Sequence, residues 1–203
     1  MIADSSMIGL PAERHVKSIC TDLRTDIRSG MQPKRALKKA ADTHMRQDIN
    51  YAPVLYVEIS INRGKGKMSV YCAGHDPPIH IASKTHKSRR LRRVSNISLP
   101  IGVDDLEKGP RLYNGRINCT RAYEPQVAAV KMDDTIALFS DGLTDALDDE
   151  HQDMGRERLE RLLVDIVRRQ RRTRPADIVG SVFARLDPDS ITDDTTLLVA
   201  RIR

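Results

Sequence analysis

Apolar residues between Ala12 and Ile27 fall at Ala12, Val16, Ile19, Cys20, Leu23 and Ile27. That spacing predicts a helix with one buried face, and Gly30 is a natural stop. Pro33 stands where a second helix begins, with Ala36, Leu37, Ala40 and Ala41 as its inner stripe. Val54 to Ile61 is rich in β-branched residues and predicts a strand. Asn62 to Gly66 has turn composition and Lys67 to Cys72 predicts a second strand, so the two make a hairpin. Ala73 to Pro78 breaks the sheet pattern. Ala82 to Leu112 is polar, basic and irregular apart from a short Leu99–Gly102 element, and is expected to be an insertion. Thr135 to Ser140 predicts a short buried strand. Leu159, Leu162, Leu163, Ile166 and Val167 lie at helical spacing, Pro175 opens a last helix to about Leu186, and Thr195 to Ile202 closes the chain as a strand. There is no internal repeat and no domain boundary in this pattern. Strands and helices come in blocks, which predicts a single α+β domain, helices packed outside antiparallel sheets.

Composition narrows the function classes. The 203 residues suit one domain able to bury a core, and 39% hydrophobic with 31% charged excludes a disordered chain. There is no Trp and there are two Phe, so aliphatic residues must fill the core. Lys and Arg number 34 against 28 Asp and Glu, with much of the excess in Lys84 to Arg93 and Arg168 to Arg174. One run reads as a loop and the other as a helix end, where cations are favoured by the dipole. Few aromatics accompany them, so nucleic acid is not the expected partner. Cys20, Cys72 and Cys119 are far apart and odd in number, which argues against a disulfide framework and fits a reducing cytoplasm. No apolar run approaches the ~20 residues that span a bilayer, and the first residues lack a signal-peptide pattern.

The candidate chemistry lies in carboxylates at strand ends. Asp141 follows the strand ending at Ser140, with Gly142 after it, and Asp193 and Asp194 precede the final strand. A carboxylate there is held rigidly yet faces solvent, which suits a ligand for hard divalent cations such as Mg2+ or Mn2+. Asp-Gly is also a common turn, and Asp-Asp before a strand is often a cap, so these residues alone leave both readings open.

Ile136 to Ala146 (IALFSDGLTDA) closely resembles the Asp-Gly-Leu-Thr-Glu-Ala signature of the stage II sporulation protein E-like phosphatases, a branch of the metal-dependent PPM, or type-2C, serine/threonine protein phosphatases. Four further segments agree with the family, all in the right order along the chain. Tyr71 to Ile79 (YCAGHDPPI) is similar to an Asn-Ala-Gly-His-x-Pro-Pro element, and Ser98 to Val103 (SLPIGV) to a Leu-Pro-Leu-Gly turn. Met154 to Leu159 (MGRERL) is similar to a Phe-Gly-x-x-Arg-Leu helix start, and Asp193 to Val199 (DDTTLLV) to the terminal Asp-Asp-x-Thr-Leu motif. Ile2 to Ala12 (IADSSMIGLPA) resembles Gly-Asp-Val-Ser-Gly-His-Gly-x-Pro-Ala, with Ala3, Met7 and Ile8 departing from it.

The resemblance implies a four-layer α-β-β-α sandwich, lacking the two strands that usually precede the first aspartate. It implies two Mn2+ or Mg2+ ions bridged by a water, from which hydroxide attacks a phosphoserine or phosphothreonine in line. Asp4 would bridge both ions with help from the Ser5 carbonyl, and Asp141 and Asp193 would hold one of them. Asp194 and Asp145 would stand behind these ligands or cap the chain there, and His75 would fix its loop by a hydrogen bond. The remaining histidines are expected at the surface. The implied partner is a phosphorylated signalling protein such as an anti-sigma-factor antagonist; oligomeric state is not readable. Met7, Ile8 and the missing strands keep an alternative open, an inactive or weak pseudophosphatase that binds phosphoproteins as a regulatory module.

Overall fold

The computed structural model describes residues 1–3, 10–44, 52–62, 65–85, 87–89, 100–101, 123–169 and 174–203. The elements run β1 (Ile2–Ala3), α1 (Leu10–Arg28), α2 (Pro33–His44), β2 (Val54–Asn62), β3 (Lys65–Ala73), β4 (Ile79–Ala82), β5 (Lys87–Arg89), β6 (Gln126–Val130), β7 (Thr135–Phe139), α3 (Asp141–Asp145), α4 (Gly155–Arg169), α5 (Pro175–Phe183), a 3-10 turn (Pro188–Ser190) and β8 (Leu197–Arg201). Two four-stranded sheets result, ordered β1-β2-β3-β6 and β5-β4-β7-β8. With their flanking helices they make an α+β fold.

The chain divides into two compact units. The first comprises Met1–Glu58, Ser69–Pro77 and Arg92–Val127, and the second Ile59–Met68, Pro78–Leu91 and Ala128–Arg203.

In the first unit the α1–α2 hairpin covers one face of the β2–β3 residues. Gly30 takes φ +93°, which reverses the chain after α1 at no cost from a Cβ. Ile19 and Leu23 of α1 and the Ala36/Leu37/Ala40/Ala41 stripe of α2 are buried with Val54, Tyr71, Ala73, Ile101 and Tyr123. Small alanines let α2 sit close, and larger aliphatic and tyrosine side chains fill the remaining space. The two central sequence motifs meet here. Ala52 bridges to Ile101, Val54 bridges to Gly74, and Gly74 sits at φ +70° against the Pro100 ring.

In the second unit β4, β7 and β8 carry a core closed by α3, α4 and α5. Ile79, Ile81, Ala137 and Phe139 pack with Leu143, Leu159, Leu163, Val167, Ile178 and Val182. β7 is buried at all five positions, Thr135 included, and is paired on both sides, by β4 and β8. It pairs antiparallel with β4, Ile79 facing Ala137, and with β8, Phe139 facing Leu197. Arg168 and Arg169 occupy the last turn of α4, where the helix dipole favours cations. Lys87–Arg89, inside the basic stretch, pairs with β4.

The histidines correct one expectation. His15, His44 and His80 are buried, with 6%, 3% and 0% of their surface exposed. The reason is pairing: His44 Nε2 lies 3.0 Å from Asp22 Oδ2, His15 packs edge-on to His44 at 5.4 Å, and His80 Nε2 lies 2.8 Å from Asp134 Oδ2. Asp134 also accepts from the amides of Ser83 (2.8 Å) and Lys131 (3.0 Å). Burial pushes the Asp134 carboxyl up, but these hydrogen bonds outweigh it and hold the group below its ordinary value.

Among the described residues no helix is long and apolar enough to cross a membrane.

Candidate metal centre

The β7–β8 pairing brings two distant aspartates to one end of one sheet. Phe139 pairs with Leu197, so the residues just after β7 and just before β8 are neighbours. Ser140 fastens them. Its amide donates to the Thr196 carbonyl at 3.1 Å, its hydroxyl donates to the Asp194 carbonyl at 3.0 Å, and the Thr196 amide donates to that hydroxyl at 2.9 Å. Gly142 allows the close approach. A Cβ there would stand 2.6 Å from the Asp194 carbonyl oxygen and 3.3 Å from that of Asp193. Ser140 also precedes α3, leaving Asp141 in the first turn, where a helix favours negative charge.

Both carboxylates are fixed in the same way. Asp141 Oδ1 accepts from the Gly142 amide at 3.0 Å, and Asp193 Oδ1 accepts from the Asp194 amide at 2.7 Å. Each keeps its second oxygen without a hydrogen bond among the described residues. Asp145, one helical turn beyond Asp141, lies within their field. Partial burial, then the charges of Asp141 and Asp193, push its carboxyl above the ordinary value. Two exposed carboxylates held by backbone amides, with the charge of Asp145 nearby, therefore stand at one end of the sheet.

The donor set suits hard divalent cations in kind: oxygen only, anionic, exposed, and mutually repelling without a cation. Among the described residues no group of three Asp, Glu, His or Cys is placed to hold a metal ion by itself. Asp4 and Ser5 lie outside the described residues. Asp194 contributes its backbone carbonyl as the seat for Ser140 and Gly142. His75 belongs to the first unit, where its Nδ1 lies 2.9 Å from the Asp76 carbonyl. Sequence reasoning assigned no role to Ser140, although a hydroxyl between a buried strand and Asp-Gly was a usable signal.

A family model described as Stage II sporulation protein E (SpoIIE) matches residues 1–203. The chain belongs to that family. Solved structures agree on the SpoIIE-type fold at low identity. The RsbU and RsbW domains of a Mycobacterium tuberculosis protein align with TM-score 0.65 at 19% identity, covering 98% of this chain and 50% of that one. The PP2C phosphatase domain of SpoIIE from Bacillus subtilis, with a fragment of its regulatory domain, aligns with TM-score 0.63 at 17% identity over 98% of this chain and 53% of that one. A PPM Ser-Thr phosphatase from Mycobacterium smegmatis, in complex with cacodylate, aligns with TM-score 0.58 at 14% identity over 99% of this chain and 86% of that one. The chain thus spans about half the length of the first two. No curated protein matches it.

Proposed function

We propose that this SpoIIE-family chain is a metal-dependent serine/threonine protein phosphatase acting on a phosphorylated signalling protein. The observation that supports the reading is the Ser140 clamp, which draws the backbone before β8 to the end of β7 where Asp141 stands, with one oxygen of Asp141 and of Asp193 uncommitted.

Asp141 and Asp193 would hold one Mn2+ or Mg2+, and Asp4 with the Ser5 carbonyl would complete a pair of ions. Bound there, two divalent cations supply an acidified water for in-line attack and offset charge on the phosphoryl oxygens. The protein's contribution is placement. Backbone amides orient Asp141 and Asp193 before any ion arrives, so little ordering is left for the binding event. Asp145 adds negative charge behind them, which strengthens attraction for a dication. The partner proposed is a phosphoprotein such as an anti-sigma-factor antagonist, because the reading needs phosphoserine or phosphothreonine as substrate.

The test is single-turnover hydrolysis of a phosphoserine peptide by the full gene product loaded with Mn2+, against Asp141→Asn. A loss of at least about a hundredfold in the variant supports the reading, the scale expected when a metal's ligand is removed. Binding of the phosphopeptide with no turnover by the wild type would replace it with a phosphoprotein-binding module.

A further inference from the structure

The first unit holds a second concave site. It is a cavity of about 680 Å³ where the α1–α2 turn overhangs β2 and β3, lined among others by Met31, Lys34, Glu58, Tyr71, Glu124 and Pro125. Its size lies in the range of sites that take small ligands or a few residues of a peptide, roughly 300–1,000 Å³.

Its chemistry selects for positive charge. Two carboxylates line it against one ammonium. Lys34 is already ion-paired with Glu124 at the rim. Glu58 is exposed and has no ion-pair or hydrogen-bond partner among the described residues. Tyr71, which also lines it, is more than nine-tenths buried, with 8% exposed, yet its hydroxyl makes no hydrogen bond among the described residues. Tyr56 backs it, with ring centroids 5.8 Å apart and planes tilted by 50°. Burial raises the proton affinity of both tyrosines, and the Glu58 charge raises it further. The hydroxyl thus sits in a negative field with an unused lone pair. A free carboxylate and an unpartnered phenol together match a guanidinium, which donates several hydrogen bonds in one plane. The apolar parts of Met31 and Pro125 suit the stem of such a side chain.

We infer that this cavity is a docking site for an arginine side chain of a protein partner, with the guanidinium between Glu58 and the Tyr71 hydroxyl. This site does not depend on the phosphatase reading, since it uses none of its residues. A partner peptide, in preference to free arginine, accounts for a cavity several times larger than one guanidinium and for its apolar rim.

The test is an amide-resolved NMR titration of the full chain with the peptide acetyl-Gly-Arg-Gly-amide, alongside the same peptide with citrulline and alongside free L-arginine. Saturable shifts at the amides of Gly30, Gln32, Glu58 and Glu124 are expected with the arginine peptide, with a dissociation constant of about 1 mM or weaker for so small a fragment. Citrulline keeps the shape and removes the charge, and should weaken binding at least about tenfold, as losing a charge-assisted pair does. Glu58→Gln should do the same. Tyr71→Phe keeps the ring and should weaken binding by a smaller factor, with thermal unfolding confirming that both variants fold. Equal binding by citrulline, unchanged binding by Glu58→Gln, shifts centred elsewhere, or free arginine binding as tightly as the peptide would each overturn the assignment.

Discussion

Replacing Gly142 with Ala separates two opposed expectations by sign. Helix propensity, which for Gly is largely the entropy of the unfolded chain, favours Ala at a helical position by about 0.4–1 kcal/mol. The contacts at Gly142 oppose this. The new Cβ would meet the Asp194 carbonyl oxygen at 2.6 Å, its carbon at 3.1 Å and the Asp193 carbonyl oxygen at 3.3 Å. These atoms are backbone, and the Ser140 hydroxyl pins this segment, donating to the Asp194 carbonyl at 3.0 Å and accepting from the Thr196 amide at 2.9 Å. Neither side can give by several tenths of an ångström without loosening the clamp. Overpacking of this kind costs about 1–3 kcal/mol, and contact with pinned backbone belongs at the upper end, so a net loss of about 1–2 kcal/mol is expected. In a chain of this size that lowers Tm by about 3–6 °C. Gly180 is the control, because a Cβ there meets nothing within 4 Å. Gly180→Ala should therefore raise stability by about 0.4–1 kcal/mol. Urea unfolding of both variants checks the pair. A Gly142→Ala protein as stable as the wild type, or more so, would refute the close approach of α3 to the Asp193–Asp194 backbone.

Three further outcomes follow from named contacts. Ser140→Ala removes a hydroxyl bonded to two backbone groups and should cost about 1–3 kcal/mol in urea unfolding, with Ser140→Thr recovering most of it. Gly74→Ala should cost at least ~1 kcal/mol, because its φ of +70° disfavours any Cβ and the Pro100 Cγ would stand 2.2 Å away. The Asp134 carboxyl, held below its ordinary value of 3.8, binds a proton less readily folded than unfolded. Its contribution is therefore complete above about pH 4 and is lost as pH falls through the lower folded value. Asp134→Asn should flatten that part of the acid-unfolding curve and lower stability at pH 7 by about 1–3 kcal/mol; an unchanged acid limb would contradict the role given to the His80–Asp134 pair.

The elements with strong periodicity were legible from residues alone. α1, α2, the β2–β3 hairpin, β7, α4 and β8 stand where apolar spacing and Gly or Pro punctuation put them, and α5 ends at Phe183, short of the expected Leu186. The strands missed had no such signal. β4 is four residues, all buried, and its His80 reads as polar until Asp134, distant in sequence, neutralises the objection. β6 (QVAAV) is short and has no large apolar side chain, and β5 is three polar residues inside a basic run. The strand-end position of Asp141 and Asp193 was legible, whereas their adjacency depends on the β7–β8 register, which only tertiary pairing sets. Asp145's place in their field follows from one turn of α3, too short to announce itself by periodicity.

The most direct test of the central claim is a Mn2+ titration of the full gene product in which bound metal, by electron paramagnetic resonance, and phosphate release are read on the same samples. Wild type should bind Mn2+ and release phosphate in step, and Asp141→Asn should lose affinity by about 10–100-fold or more and turnover with it, while remaining folded. Equal Mn2+ affinity in both proteins, or phosphate release indifferent to the metal, would contradict the account.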